Sequence, residues 1–147
     1  MKKKILIVED NVGLSQMQKD WFSQAGYEAV TAMNEPIARS LIRKTQFDLI
    51  LSDVRLPEGD GISLLEWLRK EKKDIPFIIT TEYVSVPDVV RTIKLGAIDY
   101  LPKPVRKEHL LELAEDVFRP MPTVRVRSRW RRASIRAVSV GTCLSWR

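Results

Sequence analysis

The stretch Ile5-Leu6-Ile7-Val8-Glu9-Asp10 decides the fold. Four aliphatic residues run without a polar interruption and stop abruptly in two acids. An apolar run that short, with no polar alternation, marks a strand buried on both faces, as in parallel sheets covered by helices. Working outward, Asp48 to Ser52 repeats the pattern and runs into Asp53, and Pro76 to Thr80 gives another such run. Glu28 to Ala32 and Ile98 to Leu101 are weaker strand candidates. Helical spacing fills the gaps. Leu14, Met17, Trp21, Phe22 and Ala25 form one stripe, closed by Gly26. Asn34 can cap a helix whose inner face is Ile37, Ala38, Leu41 and Ile42. Ile62, Leu65 and Leu68 mark a third helix, Pro87 to Leu95 a fourth, and Glu108 to Phe118 a fifth. Strands alternating with helices predict a doubly wound α/β fold with a five-stranded parallel sheet.

The composition narrows the function. At 147 residues and 44% hydrophobic, the chain can bury one real core. Its net charge of +6 points first to nucleic acid or a membrane surface. By segment that reading weakens: residues 1–118 hold 17 Lys and Arg against all 19 acidic residues, whereas residues 119–147 hold eight Arg and no acid. We therefore divide the chain into a body, 1–118, and a basic Arg-rich tail, 119–147. A lone cysteine, Cys143, excludes a disulfide framework and fits a reducing, cytoplasmic setting. Met1 to Val8 imitates a signal peptide, but its apolar run is too short, and no run reaches the length of a membrane span. A soluble chain with no membrane partner is the expectation.

In doubly wound folds ligands gather outside the carboxyl ends of the strands. Here those ends carry Glu9-Asp10, Asp53, Thr80-Thr81 and, after the fifth strand, Lys103. Any of these alone is more simply a helix cap or a turn residue. Together they place three carboxylates, a hydroxyl and an ammonium on one edge. Clustered carboxylates repel unless a hard cation joins them, and an all-oxygen donor set suits Mg²⁺. Asp53 is then a nucleophile able to take a phosphoryl group, with Lys103 and Thr81 as donors to its oxygens.

At this point the sequence resembles a known family. Ile5 to Asn11, Leu51-Ser52-Asp53-Val54-Arg55-Leu56-Pro57, Asp60-Gly61 and Gly96 to Pro104 look like the receiver domain of bacterial response regulators, over roughly residues 3–118. The resemblance implies a flavodoxin-like sheet in order 2-1-3-4-5 and phosphorylation by a partner sensor histidine kinase. It implies a signalling switch in a two-component phosphorelay, not a turnover enzyme on external substrates. Residue by residue, Asp53 matches the phosphoacceptor, Asp10 the direct Mg²⁺ ligand, and Glu9 its water-linked neighbour. The backbone carbonyl of Arg55 matches a further ligand and Lys103 the lysine that pairs with the phosphoryl group. The family spacing of 22 residues back from Lys103 selects Thr81 over Thr80 as the switch hydroxyl. Tyr100 matches the aromatic that swings inward when the threonine engages phosphate. Lys103-Pro104 is expected to be a cis peptide.

Glu82 departs from the family pattern, which has a small residue after the switch threonine. Arg55 and Tyr83 occupy the positions that tune phosphoryl loss, and a bulky Tyr83 is expected to shield Asp53. The face built from the fourth helix, fifth strand and fifth helix is the expected homodimer or target-docking surface. His109 reads as structural, and Trp21 and Trp67 as core or helix-face residues. The tail, with Arg125, Arg127, Arg129, Arg131, Arg132, Arg136, Trp130 and Trp146, reads as a disordered or a truncated, frame-altered end. Two alternatives stay open: a nucleic-acid-binding regulator acting through that tail, and a pseudo-receiver that never accepts phosphate. A related phosphatase is disfavoured because Arg55 stands where it would place a second acid.

Overall fold

The computed structural model describes residues 2–119. The element order is β1 (Lys4–Val8), α1 (Val12–Gln24), β2 (Glu28–Ala32), α2 (Glu35–Lys44), β3 (Leu49–Asp53), α3 (Gly61–Lys70), β4 (Phe77–Thr81), α4 (Val86–Lys94), β5 (Asp99–Pro102) and α5 (Lys107–Phe118). All strand pairs are parallel, in the order β2-β1-β3-β4-β5. The sheet order reverses at β1, so the ends of β1 and β3 flank the switch point.

Each face of the sheet buries its own core. Leu6, Val8, Ile50, Phe77 and Ile79 meet α2 and α3 through Ala38, Ile42, Leu64, Leu65 and Leu68. Ile5, Ile7, Leu49, Leu51 and Ile78 meet α1 and α5 through Phe22, Leu110, Leu113 and Ala114. The unbroken runs of the sequence follow from this: adjacent residues point to opposite faces, and both faces are covered.

Two helix faces differ from the expected stripes. In α1 the buried residues are Ser15, Gln18 and Phe22, and Met17 of the expected stripe is 42% exposed. Phe22 is the anchor, with Trp21 only packed against the core's margin. In α2 Glu35, Ala38 and Ile42 are buried, and Ile37, expected inside, is 44% exposed. A carboxylate takes the inward position in the first turn, for reasons that concern the neighbouring loop. Strand bounds shift by a residue: β3 and β4 start at Leu49 and Phe77 and include Asp53 and Thr81. The Lys103–Pro104 peptide is cis, as the resemblance implied. Among the described residues no helix is long and apolar enough to cross a membrane. The tail reading for 120–147, with Cys143 in it, lies outside the described residues.

Candidate functional site

The strand ladders continue past the strand ends and fix the backbone that carries the site. Glu9 N–H donates to Ala32 O (2.9 Å), Val54 N–H to Thr80 O (2.9 Å) and Lys103 N–H to Thr81 O (2.7 Å). Glu9, Asp53 and Lys103 therefore project from adjacent, mutually bonded backbone segments rather than from free loops. Gly61 lets the chain return against β3: a Cβ there would meet the Asp53 carbonyl and lie 2.8 Å from Ser52 Oγ.

At the centre the Lys103 ammonium bridges two carboxylates, donating to Asp53 Oδ2 at 2.7 Å and to Glu9 Oε1 at 2.8 Å. All three side chains are largely buried. Burial alone would lower the Lys103 pKa, but the hydrogen bonds and charges of Asp53 and Glu9 outweigh it and hold the ammonium above its ordinary value. Burial pushes the Glu9 carboxyl up; Lys103 and the Asn11 N–H, donating to Glu9 Oε2 at 3.2 Å, act against that. Asp10 lies beside this pair, exposed to solvent. Carboxylate oxygens of Glu9, Asp10 and Asp53 all fall within 4.8 Å of one another. One lysine cannot neutralise three carboxylates, and an oxygen-only set of this spacing fits a hard divalent cation such as Mg²⁺. Arg55 N–H donates to Asp53 Oδ1 at 3.2 Å, which orients the carboxylate.

A cavity of about 630 Å³ over this cluster is lined also by Leu14, Met17, Glu82 and Tyr83. Thr81 is buried, and its hydroxyl is engaged with the Tyr83 backbone: it donates to Tyr83 O (2.9 Å) and accepts from Tyr83 N–H (3.1 Å). It is not bonded to Asp53 or Lys103. Tyr100 is turned inward, and its buried hydroxyl has no hydrogen bond. Burial pushes its pKa up, moderated by the nearby Ser85 backbone and Thr81 hydroxyl, which influence it without reaching bonding geometry. His109 is exposed on α5.

Three features escaped the sequence. The Glu9–Lys103 ion pair joins residues 94 apart. The Arg55 guanidinium lies 5.2 Å from the centre of the Tyr83 ring, so the two positions expected to tune phosphoryl loss stack on each other. Glu35 is buried (5% exposed) beside the loop that follows β3; at Asn34-Glu35-Pro36 it reads only as an acid in a helix's first turn.

A doubly wound sheet with paired acids after β1, an aspartate ending β3 and a lysine after β5 bonded to it is the arrangement that the receiver-domain resemblance implied. Comparison with known proteins fixes the family. Residues 5–115 match the response regulator receiver domain. The chain is 31% identical to the response regulator protein PilR of Pseudomonas aeruginosa over 118 residues, covering 80% of this chain and 26% of PilR. A CheY-like receiver domain protein of Methanospirillum hungatei superposes with a TM-score of 0.76 at 32% identity, covering 80% of this chain and 94% of that one. The non-phosphorylated HemR receiver domain of Leptospira biflexa gives 0.74 at 36% identity, covering 82% and 98%. The chain belongs to the response regulator receiver domain family, the signalling switches of two-component systems. It spans about a quarter to a half of the length of the curated relatives it matches.

Proposed function

We propose that this chain is a phosphorylation-dependent switch in which Asp53 accepts a phosphoryl group from the phosphohistidine of a sensor kinase, in the cytoplasm. The observation that carries this is the Lys103 ammonium bonded to Asp53 Oδ2, within a cluster of three carboxylates. In the transfer an Asp53 oxygen forms the new bond to phosphorus as the P–N bond to the donor imidazole breaks, and the imidazole leaves neutral once it holds a proton. Asp10, Asp53 and the Arg55 carbonyl, with Glu9 through water, would hold Mg²⁺, which supplies charge neutralisation for the incoming phosphoryl oxygens. Lys103 is already positioned to follow charge from the carboxylate to the phosphoryl group, with Glu9 holding it in place.

The switch step follows from what Thr81 must give up. Its hydroxyl leaves the Tyr83 backbone to donate to a phosphoryl oxygen, which moves the β4–α4 segment. Tyr100, with its unbonded buried hydroxyl beside that segment, stabilises the shifted state, so phosphorylation biases a two-state equilibrium. The face to be altered is that of α4, where Thr92 alone is buried and Val84, Val86, Val90 and Ile93 are exposed. We propose it as a surface for a second copy.

Asp53→Asn tests the assignment. With acetyl phosphate and Mg²⁺ the wild-type chain should gain the mass of one phosphoryl group, and the variant should gain none. Equal labelling of the variant would place the acceptor elsewhere.

A further inference from the structure

We propose that Glu35 is a positioning residue for the metal-binding loop, acting from the first turn of α2 across to the segment that follows Asp53. This rests on the Mg²⁺ reading of the site. The Glu35 carboxylate is buried and divides its oxygens between two tasks. Oε2 accepts from Arg39 Nε at 2.9 Å and also pairs with Arg39 Nη2. Oε1 accepts the backbone N–H of Asp60 at 3.1 Å. The approach is so close that a Cβ on Gly59 would collide with Glu35 Oε1, and Gly59 has φ +98°, where side chains are strained. Asn34 adds a second tie, donating from Nδ2 to Glu58 Oε2 at 3.1 Å.

What Asp60 holds gives the contact its reach. Asp60 pairs with Arg55 in an isolated antiparallel bridge, and Gly61 N–H donates to Val54 O at 2.8 Å. Arg55 in turn donates to Asp53 Oδ1. A continuous path thus runs from Glu35 through Asp60 to the residue whose carbonyl completes the metal site and which orients the nucleophile. The far end of the clamp is also fixed: Arg39 stacks on Trp67 of α3 at 5.1 Å, and Arg43 on the same ring at 5.2 Å. If Glu35 served helix stability alone, its pair with Arg39 within α2 would suffice. The second oxygen, aimed at a loop amide 25 residues away, serves the loop.

Glu35→Gln, Glu35→Ala and Glu35→Asp separate the contributions. Gln removes the charge but keeps an acceptor for Asp60 N–H; Asp keeps the charge but is one methylene too short to reach; Ala removes both. Mn²⁺ binding, followed by electron paramagnetic resonance as a stand-in for Mg²⁺, should be near wild type in Gln. It should weaken about tenfold in Asp and Ala, the low end for groups that orient metal ligands. Thermal unfolding in EDTA identifies any variant that fails to fold, and the Gln–Asp pair carries the comparison without Ala. Asp at wild-type affinity, or Gln weakened as much as Asp, overturns the role of Glu35. A wild-type chain that binds no Mn²⁺ overturns the metal reading itself and this inference with it.

Discussion

Tyr83 lines the Asp53 cavity and the Arg55 guanidinium stacks on its ring, which joins two positions 28 residues apart. Tyr83 is 67% exposed, so little of its position comes from packing. The contact with the guanidinium, and the bonds of its backbone to Thr81, hold it there. We propose that this stacked pair is a lid that water must pass to hydrolyse an aspartyl phosphate on Asp53. Tyr83→Ala is expected to speed dephosphorylation severalfold in a phosphate-release assay, and an unchanged rate would remove the lid from the account. Lys103 carries a pH signature. Its folded pKa is raised, so its ion pairs stabilise the fold fully below 10.5, the unfolded value. Between 10.5 and the raised folded value, the folded chain keeps a proton that the unfolded chain has lost, and stability falls as pH rises. The melting temperature of wild type should therefore drop more steeply than that of Lys103→Met across that alkaline window. At neutral pH the variant should be less stable, because Glu9 and Asp53 then face each other without a cation.

At the scale of elements, four of the five helices among the described residues are closed by a side chain at their start. Asn11, Asn34, Asp60 and Ser85 accept from the N–H groups of Leu14, Ile37, Ser63 and Asp88. These caps also place the site, since Asn11 follows Asp10, and Asp60 ends the loop after Asp53. The fifth helix lacks one. Arg106 sits at the cap position of α5 with extended backbone, φ −85° and ψ 140°, and no side-chain bond. Its cation also faces the positive end of the helix dipole. Arg106→Asp supplies an acceptor and reverses the charge, and should raise stability by about 1 kcal/mol in urea unfolding. No change in the midpoint would mean that the first turn of α5 is already satisfied by water.

For the whole molecule, charge and apolar surface are sorted by region. The acids that matter lie at the carboxyl edge, while the exposed apolar residues concentrate on and before α4. Helix α4 is held mainly by Thr92 and by partly buried Val89 and Leu95, the least anchored arrangement of the five. A weakly anchored element is one that the proposed movement of Thr81 would shift at little cost. If the α4 surface joins two copies, the chain with Mg²⁺ and beryllofluoride should elute as a dimer, and Val90→Asp should return it to a monomer while leaving Asp53 labelling intact. Dimers that persist in Val90→Asp would move the interface to another face.

How much of this was legible can be argued from particular residues. Ile5 to Val8, Leu49 to Asp53 and Phe77 to Thr81 announce a parallel sheet because an unbroken aliphatic run is stable only when both faces are covered. The acids at the ends of β1 and β3 and the lysine after β5 announce the functional edge, since topology alone carries parallel strand ends to one side. Burial in the helices was less legible. Leu14, Met17 and Ile37 are apolar at helical spacing, yet Met17 and Ile37 stay exposed and Leu14 lines the cavity. Hydrophobicity says that a side chain tolerates burial, not which rotation of the helix the sheet accepts. The layering and the residue types gathered at the strand ends were thus legible in the sequence by itself. The tertiary structure alone decided the pairings: Lys103 with Glu9 and Asp53, Arg55 with Tyr83, Glu35 with Asp60. Those partners lie 94, 50, 28 and 25 residues apart. Local periodicity carries no information about such contacts, because each depends on the register of several strands and on the loops that leave them.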